Sequence, residues 1–192
     1  MPAPNPAALE FLMTRRSRPA KTLAGPAPDR EALRTLLTAA ARSPDHGKLE
    51  PWRFVVLERG ALDRLAGLAE NRAAAIGMAP DSAAKGVAQF ADSPLAVAII
   101  ASPKDSEKVP EIEQHLSAGA VCLALLNAAL AAGWGANWLT GWPAHDRGFG
   151  EAGLALGANE FVAGFIHIGT ETSAPPERPR PDIDTITTWC AT

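Results

Sequence analysis

Apolar residues recur at helical spacing in several parts of this 192-residue chain. Asn5 and Pro6 fit the N-cap and the first position of a helix. A second helix is predicted to begin at Asp29 and to end near Arg42, because Pro44 disfavours helical geometry in the residue before it. The apolar face of the first helix consists of Leu9, Leu12 and Met13. Further helices are predicted over residues 61–76, 81–91, 110–132 and 145–156.

A continuous apolar run rich in Val and Ile, residues 95–101, predicts a strand that is covered on both faces. Other strands are predicted over residues 53–57, 136–140 and 161–169, with a short possible strand over 183–189. Since helices separate the strands, the pattern indicates an α/β or α+β protein.

Residues 118–139 carry no charge and are long enough to span a membrane. The run is rich in Ala and contains Asn127, Asn137 and several Gly, so we expect a buried helix followed by a strand and no membrane span. Residues 1–13 lack the basic region and long apolar core of a signal peptide. These features favour a cytoplasmic protein.

The overall composition excludes some function classes. A net charge of −3 argues against a general nucleic-acid binder. Cys122 and Cys190 form no CxxC or zinc pattern and fit reduced thiols. His115, His145 and His167 lack metal-ligand spacing, so we predict no metal site. Neither a GxGxxG after a strand nor a GxxxxGK[ST] is present, which weakens Rossmann and P-loop interpretations.

A basic cluster, Arg15-Arg16-Ser17-Arg18, follows the first predicted helix. A guanidinium group can give two parallel hydrogen bonds to a phosphate, and a serine hydroxyl can add a third. The cluster is also compatible with a solvated helix end, because basic residues are favoured in the last turn of any helix. The residues alone leave both interpretations open.

Four segments, in order and spacing, resemble the nitroreductase family of flavin enzymes, most closely its short single-domain bacterial members. The segments are residues 15–17, 41–52, 133–141 and 164–170. The resemblance implies a three-layer α+β fold, in which helices flank a central, mostly antiparallel sheet. It also implies a homodimer with FMN at the subunit interface. Residues 1–173 would form the FMN-binding domain, and residues 174–192 would form an arm exchanged with the partner.

The resemblance also implies an activity. NADH or NADPH would reduce the flavin at N5, and a nitroaromatic, quinone or similar small acceptor would then take the electrons by a ping-pong mechanism. No side chain would be catalytic, because the cofactor carries the chemistry. Two other functions remain open at this stage: a non-catalytic flavin-binding protein for storage or sensing, and a flavoenzyme of the same fold with a specific metabolite substrate.

Family resemblance assigns the cofactor contacts residue by residue. Arg15, Arg16 and Ser17 would bind the FMN phosphate, and Arg178 or Arg180 of the arm would add a second positive charge. The residues expected to approach or line the flavin ring are Arg42, Pro44, His46, Trp138, Leu139 and Thr140, some of the first three coming from the partner subunit. Outside the resemblance, His46 also fits a simple loop histidine and Thr140 a strand residue.

One position departs from the family pattern. Two residues after the serine, the family usually has a basic residue at the flavin's pyrimidine edge, and this chain has Pro19. Arg18 and Lys21 lie on either side, and the sequence favours Lys21 if the loop is longer.

Overall fold

Five antiparallel strands form the centre of the computed structural model, which describes residues 3–192. The strands are β1 (Leu23–Ala24), β2 (Trp52–Leu57), β3 (Ala96–Ala101), β4 (Gly135–Leu139) and β5 (Phe161–Glu171). The helices are α1 (Pro6–Thr14), α2 (Arg30–Ala40), α3 (Arg59–Ala75), α4 (Pro80–Ala91), α5 (Glu111–Ala131), α6 (Arg147–Leu154) and α7 (Ile183–Ile186). The strand order is β1-β5-β3-β2, and β4 also pairs with β5. The α+β fold with a mostly antiparallel sheet is confirmed.

Strand β3 lies in the middle of the molecule and is buried along its whole length. It pairs with β2 on one side and β5 on the other. Val97 and Ile99 pack into one core with α2 and α5, whereas Ala98 and Ile100 pack into another with α3 and α6. A strand that is apolar on both faces therefore separates two layers of helices, which gives the three-layer architecture.

Helix α5 forms much of the core on one face of the sheet. Its length and composition alone would also suit a membrane span, as is common for core helices. Eight of its residues are buried, and it packs against α2 and three strands. The buried helix predicted over residues 110–132 is confirmed.

Side-chain caps fix the beginnings of the first two helices as predicted. The Asn5 side chain accepts a hydrogen bond from the Ala8 amide at 3.1 Å, and Asp29 accepts one from Ala32 at 2.9 Å. Helix α2 ends at Ala40, two residues earlier than Arg42, and its last backbone groups are closed by tight turns at residues 41–43.

The strand predicted over residues 183–189 is wrong. Asp182 caps a single helical turn there, accepting a hydrogen bond from the Asp184 amide at 3.1 Å, and no strand among residues 3–192 pairs with the segment. Strand β1 was not predicted, because two residues are too short to show a hydrophobic period.

Candidate functional site

The basic cluster lies beside the edge of strand β4. The Arg18 amide donates to the Ala136 carbonyl at 2.8 Å, and the Asn137 side chain donates to the Arg18 carbonyl at 2.7 Å. These two bonds attach the segment that follows α1 to the sheet. The bonded residues of β4, Ala136 and Asn137, lie three and two positions before Leu139 in the sequence.

Arg15 and Ser17, the two predicted phosphate ligands, are in contact. The Arg15 Nη2 donates to the Ser17 Oγ at 2.9 Å, and the Arg16 Nη2 lies 3.4 Å from the Pro176 carbonyl of the arm. The Nε atoms of Arg15 and Arg16 are both buried and have no hydrogen-bond partner within residues 3–192. Buried donors without partners are rare and costly, so an anionic ligand at this position would satisfy them.

Positive charge accumulates around Arg15. Partial burial lowers the pKa of its guanidinium, and the nearby charges of Arg180 and Arg16 lower it further. Arg180 is itself bound to Glu177, with a distance of 2.9 Å between Nη2 and Oε1. The arm therefore brings Arg180 of the same chain to the cluster, and only part of the positive charge there is neutralised.

The structure distinguishes the two cations that flank Pro19. Arg18 pairs with Glu171, with 3.3 Å between Nη1 and Oε1. Lys21 lies in a short 3-10 turn, residues 20–22, and lines a cavity together with Leu139. Of the two, Lys21 is therefore the cation that faces a space a ligand could enter.

That cavity, of about 190 Å³, adjoins a second one of about 330 Å³, and both are lined by Lys85, Gln89 and Leu139. We call the two together the α4 groove, because they lie between α4 and the end of β4. The first is also lined by Ala20, Lys21, Ala88, Asp92 and Ser93, and the second by Ser82, Gly86, Gly141 and Trp142. The buried Gln89 Nε2 has no partner among the described residues.

The three residues predicted to line the flavin ring do not lie together. Leu139 lines the α4 groove, whereas Thr140 lines a different cavity of about 470 Å³. Trp138 lies over Gly164, and its indole Nε1 donates to the Ala163 carbonyl at 3.3 Å. Successive residues at the end of a strand point to opposite faces of the sheet, which accounts for the divergence.

The loop that contains Pro44 and His46 packs against the start of α5. His46 Nδ1 lies 2.7 Å from Glu113 Oε2, and Ser117 Oγ donates to the Pro44 carbonyl at 2.7 Å. Arg42 is exposed. Within residues 3–192, no hydrogen bond or ion pair joins this loop to Arg15 or to the α4 groove, so one chain does not bring these predicted contacts to the basic cluster.

Sequence reasoning missed three residues of the groove: Lys85, Gln89 and Trp142. Lys85 and Gln89 are four residues apart on α4, the spacing that puts side chains on one helical face, but this pattern is common in solvated helices. Trp142 follows Gly141, whose φ of 62° is left-handed backbone that favours glycine. Within residues 3–192, no cluster of three His, Cys, Asp or Glu side chains could hold a metal ion.

Comparison with known proteins gives consistent matches along the chain. The sequence model of the Nitroreductase family matches residues 12–170. "Putative NAD(P)H nitroreductase YdjA" of Escherichia coli (strain K12) is 35% identical over 163 residues, which cover 85% of this chain and 87% of that protein.

Two solved structures share the fold. The nitroreductase-like family protein from Bacillus cereus has a TM-score of 0.79 and 21% identity, and the alignment covers 100% of both chains. An FMN-dependent nitroreductase from Clostridium difficile R20291 has a TM-score of 0.68 and 21% identity, with 96% of this chain and 99% of that chain covered.

Proposed function

Since the chain belongs to the nitroreductase family, we propose that it is an FMN-dependent oxidoreductase. It takes electrons from NADH or NADPH and passes them to nitroaromatic, quinone or similar small acceptors. The observation that carries the proposal is the Arg15–Ser17 pair, with its buried unpartnered Nε atoms beside Arg180. The name of the Escherichia coli relative and that of the Clostridium difficile structure support the reductant and the cofactor respectively.

The FMN phosphate is the anion that suits the basic cluster. Arg15 and Arg16 together offer unpartnered buried N–H groups, and the Ser17 hydroxyl already lies within hydrogen-bond distance of Arg15. Arg180 adds a further positive charge from the arm. A phosphate accepts several charge-assisted hydrogen bonds at once, which matches this set of donors.

The smaller cavity of the α4 groove suits the polar edge of the flavin ring. Lys21, Lys85 and the unpartnered Gln89 Nε2 are donors there, and Leu139 supplies an apolar contact. A positive charge at this edge favours the electron-rich reduced ring. In the family, a basic residue at the position of Pro19 usually lies at this edge. Lys21 therefore takes its role here, since Arg18 is already paired with Glu171.

When bound, FMN supplies the redox chemistry: it accepts a hydride from the nicotinamide and donates electrons to the acceptor. The residues of this chain hold the cofactor, exclude water from one face of its ring and keep the acceptor in reach. This division of roles accounts for the absence of any assigned acid, base or nucleophile.

We also propose a homodimer, because several large apolar side chains are exposed on one chain. They are Leu9, Leu12 and Met13 on α1, Ile112, Leu116 and Leu123 on α5, and Ile183, Ile186 and Trp189 in the arm. Stable subunit interfaces bury surfaces of this kind. In such a dimer, Arg42, Pro44 and His46 would approach the flavin of the partner. Of the arm, residues 174–192, the apolar end with Ile183, Ile186 and Trp189 would pack on the partner, while Arg180 stays beside Arg15 of its own chain.

FMN titration of the purified protein tests the cofactor. Each charge-assisted hydrogen bond is worth about 1.5–3 kcal/mol, so Arg15→Met is expected to raise the Kd for FMN by at least about tenfold. Arg34→Met, an exposed arginine on α2, is the matched control and is expected to bind FMN like the unmodified protein. Equal FMN affinity in all three proteins, or no binding in any, would refute the proposal.

Turnover is tested by following NADH and NADPH oxidation with a panel of nitroaromatics and quinones. FMN binding without oxidation over the whole panel would instead support a storage or sensing role.

A further inference from the structure

We propose that the larger cavity of the α4 groove is the electron-acceptor site, and that Lys85 makes it selective for aromatic acceptors with an anionic substituent. The inference rests on the proposed function and names the acceptor class for that same site. It depends on the shape of this cavity, on its contact with Leu139, and on the distribution of charge along α4.

The cavity has the size and walls of a site for one aromatic ring. Its volume of about 330 Å³ lies at the small end of known ligand sites. Leu139 and Trp142 form apolar walls, and Gly86 lets Trp142 lie directly against α4, since a Cβ there would be 1.9 Å from the indole Nε1. An aromatic acceptor fits this space, whereas a whole dinucleotide does not.

Leu139 places the acceptor next to the cofactor. It lines both cavities, so a ring bound in the larger one lies beside the space that we assign to the polar edge of the flavin. Gly141 leaves room for the Gln89 side chain, because a Cβ at that position would lie 3.2 Å from Gln89 Oε1. The two cavities together would therefore hold the polar edge of the flavin and an acceptor side by side.

Lys85 is the one charged residue among the described residues that line the larger cavity. Lys85 is exposed, and within residues 3–192 it has no carboxylate within ion-pair distance and no hydrogen-bond partner. Lys85 lines both cavities. Asp92, the one carboxylate among the described residues that line the groove, lines the smaller cavity with Lys21 and does not line the larger one. Ser82 lies three residues before Lys85 on the same helical face and adds a hydroxyl donor. A carboxylate or phenolate on an acceptor in the larger cavity would bind beside Lys85 and Ser82.

For a nitroaromatic acid the balanced reaction is a two-electron reduction. Ar–NO₂, NAD(P)H and one proton give Ar–NO, NAD(P)⁺ and water. The nitro group is reduced and loses one oxygen as water, and the nicotinamide is oxidised. The carboxylate of the acceptor takes no part in the reaction and serves only to bind Lys85.

The test compares 4-nitrobenzoate with 4-nitrobenzamide, which have nearly the same shape and differ in charge. We expect a ratio of kcat/KM, acid over amide, that is about five- to tenfold higher in the unmodified protein than in Lys85→Met, equivalent to about 1–1.4 kcal/mol. Comparing the ratio between proteins cancels the different intrinsic reactivity of the two compounds. Salt at about 0.5 M should reduce the difference, because it screens an exposed charge. Lys104→Met, an exposed lysine that lines a different cavity, is the matched control.

Binding provides a readout that does not need turnover. Equilibrium dialysis of benzoate and benzamide against the purified protein, with and without FMN, is expected to show the same preference for the acid and its loss in Lys85→Met. A ratio that is equal in the unmodified protein and in Lys85→Met, by kinetics or by dialysis, would overturn the inference. Loss of FMN binding or of all NAD(P)H oxidation would refute the proposed function instead, and dialysis would still decide whether Lys85 binds the anion.

Discussion

His167 gives a quantitative prediction about stability and pH. It lies in the middle of β5 and is fully buried. The Ser93 hydroxyl donates to the Leu95 carbonyl at 3.0 Å, so the Nδ1–H of His167 donates to that hydroxyl at 2.9 Å. Burial lowers the pKa of His167 from 6.5 to about 4, because the charged form would lose its hydration. The folded protein therefore holds His167 neutral.

The pKa difference sets the size of the effect. In the unfolded chain His167 takes up a proton as the pH falls through 6.5, whereas in the folded chain it stays neutral until about pH 4. Protonation thus favours the unfolded state across this window, and the stabilisation present above pH 6.5 is lost as the pH falls towards 4. Between about pH 7.5 and pH 4.5 the expected loss in unfolding free energy is about 2.5 kcal/mol from this one residue.

Urea denaturation across this pH range, at one protein concentration, measures the effect. His167→Phe removes the titrating group and should flatten the slope of unfolding free energy against pH, whatever its own stability at neutral pH. His145→Gln, an exposed histidine, is the matched control and should keep the original slope. Glu160 does not interfere, because its bond to Arg53 lowers its pKa to about 2, and the stability it contributes is lost only below its ordinary pKa of 4.5. Identical slopes for the unmodified protein and His167→Phe would refute the reasoning.

Two further predictions concern Gly164 in β5 and the arm. Gly164→Ala places a Cβ 2.0 Å from Trp138 Nε1, so the indole must move and lose its bond to Ala163, at an expected cost of about 1–3 kcal/mol by thermal or urea unfolding. Gly67→Ala in α3 meets nothing within 4 Å and should be neutral or stabilising by up to about 1 kcal/mol, so equal losses in both variants would contradict this account. Deleting residues 174–192 removes Arg180 and the apolar side chains of the arm, and should weaken both FMN binding and the dimer. Unchanged FMN affinity and unchanged mass by size-exclusion chromatography would count against that assignment.

The parts of the fold that could be predicted are those set by local sequence. The apolar run of β3, the long apolar helix α5 and the caps at Asn5 and Asp29 each carry their own pattern, and all are confirmed. The segment after residue 182 could not be predicted in the same way, because Ile183, Ile186 and Trp189 are separated by two polar residues each, and so short a stretch shows neither a clear strand period nor a full helical period. The Asp182 cap, and the lack of a pairing strand among residues 3–192, distinguish the two.

The proximity of the residues in the basic cluster was predictable, whereas the residues that line the α4 groove were not. Arg15, Arg16 and Ser17 are adjacent in sequence, so their proximity follows from the chain itself. The contact of Lys21 with the α4 groove depends instead on the 3-10 turn at residues 20–22, and that of Lys85 and Gln89 depends on how α4 packs beside β4. Contacts that depend on the packing of distant elements cannot be predicted from the spacing of residues within one segment.

The divergence of Leu139 and Thr140 at the end of β4 has a consequence for engineering. Because Leu139 lines the α4 groove and Thr140 lines the cavity of about 470 Å³, either space can be reshaped through its own residue while the lining of the other is unchanged. Randomising residue 139 would act on the space we assign to cofactor and acceptor, and randomising residue 140 would not. Inserting or deleting one residue in β4, by contrast, would reverse the direction of the side chains that follow, because successive residues of a strand point to opposite faces, and would change both linings together.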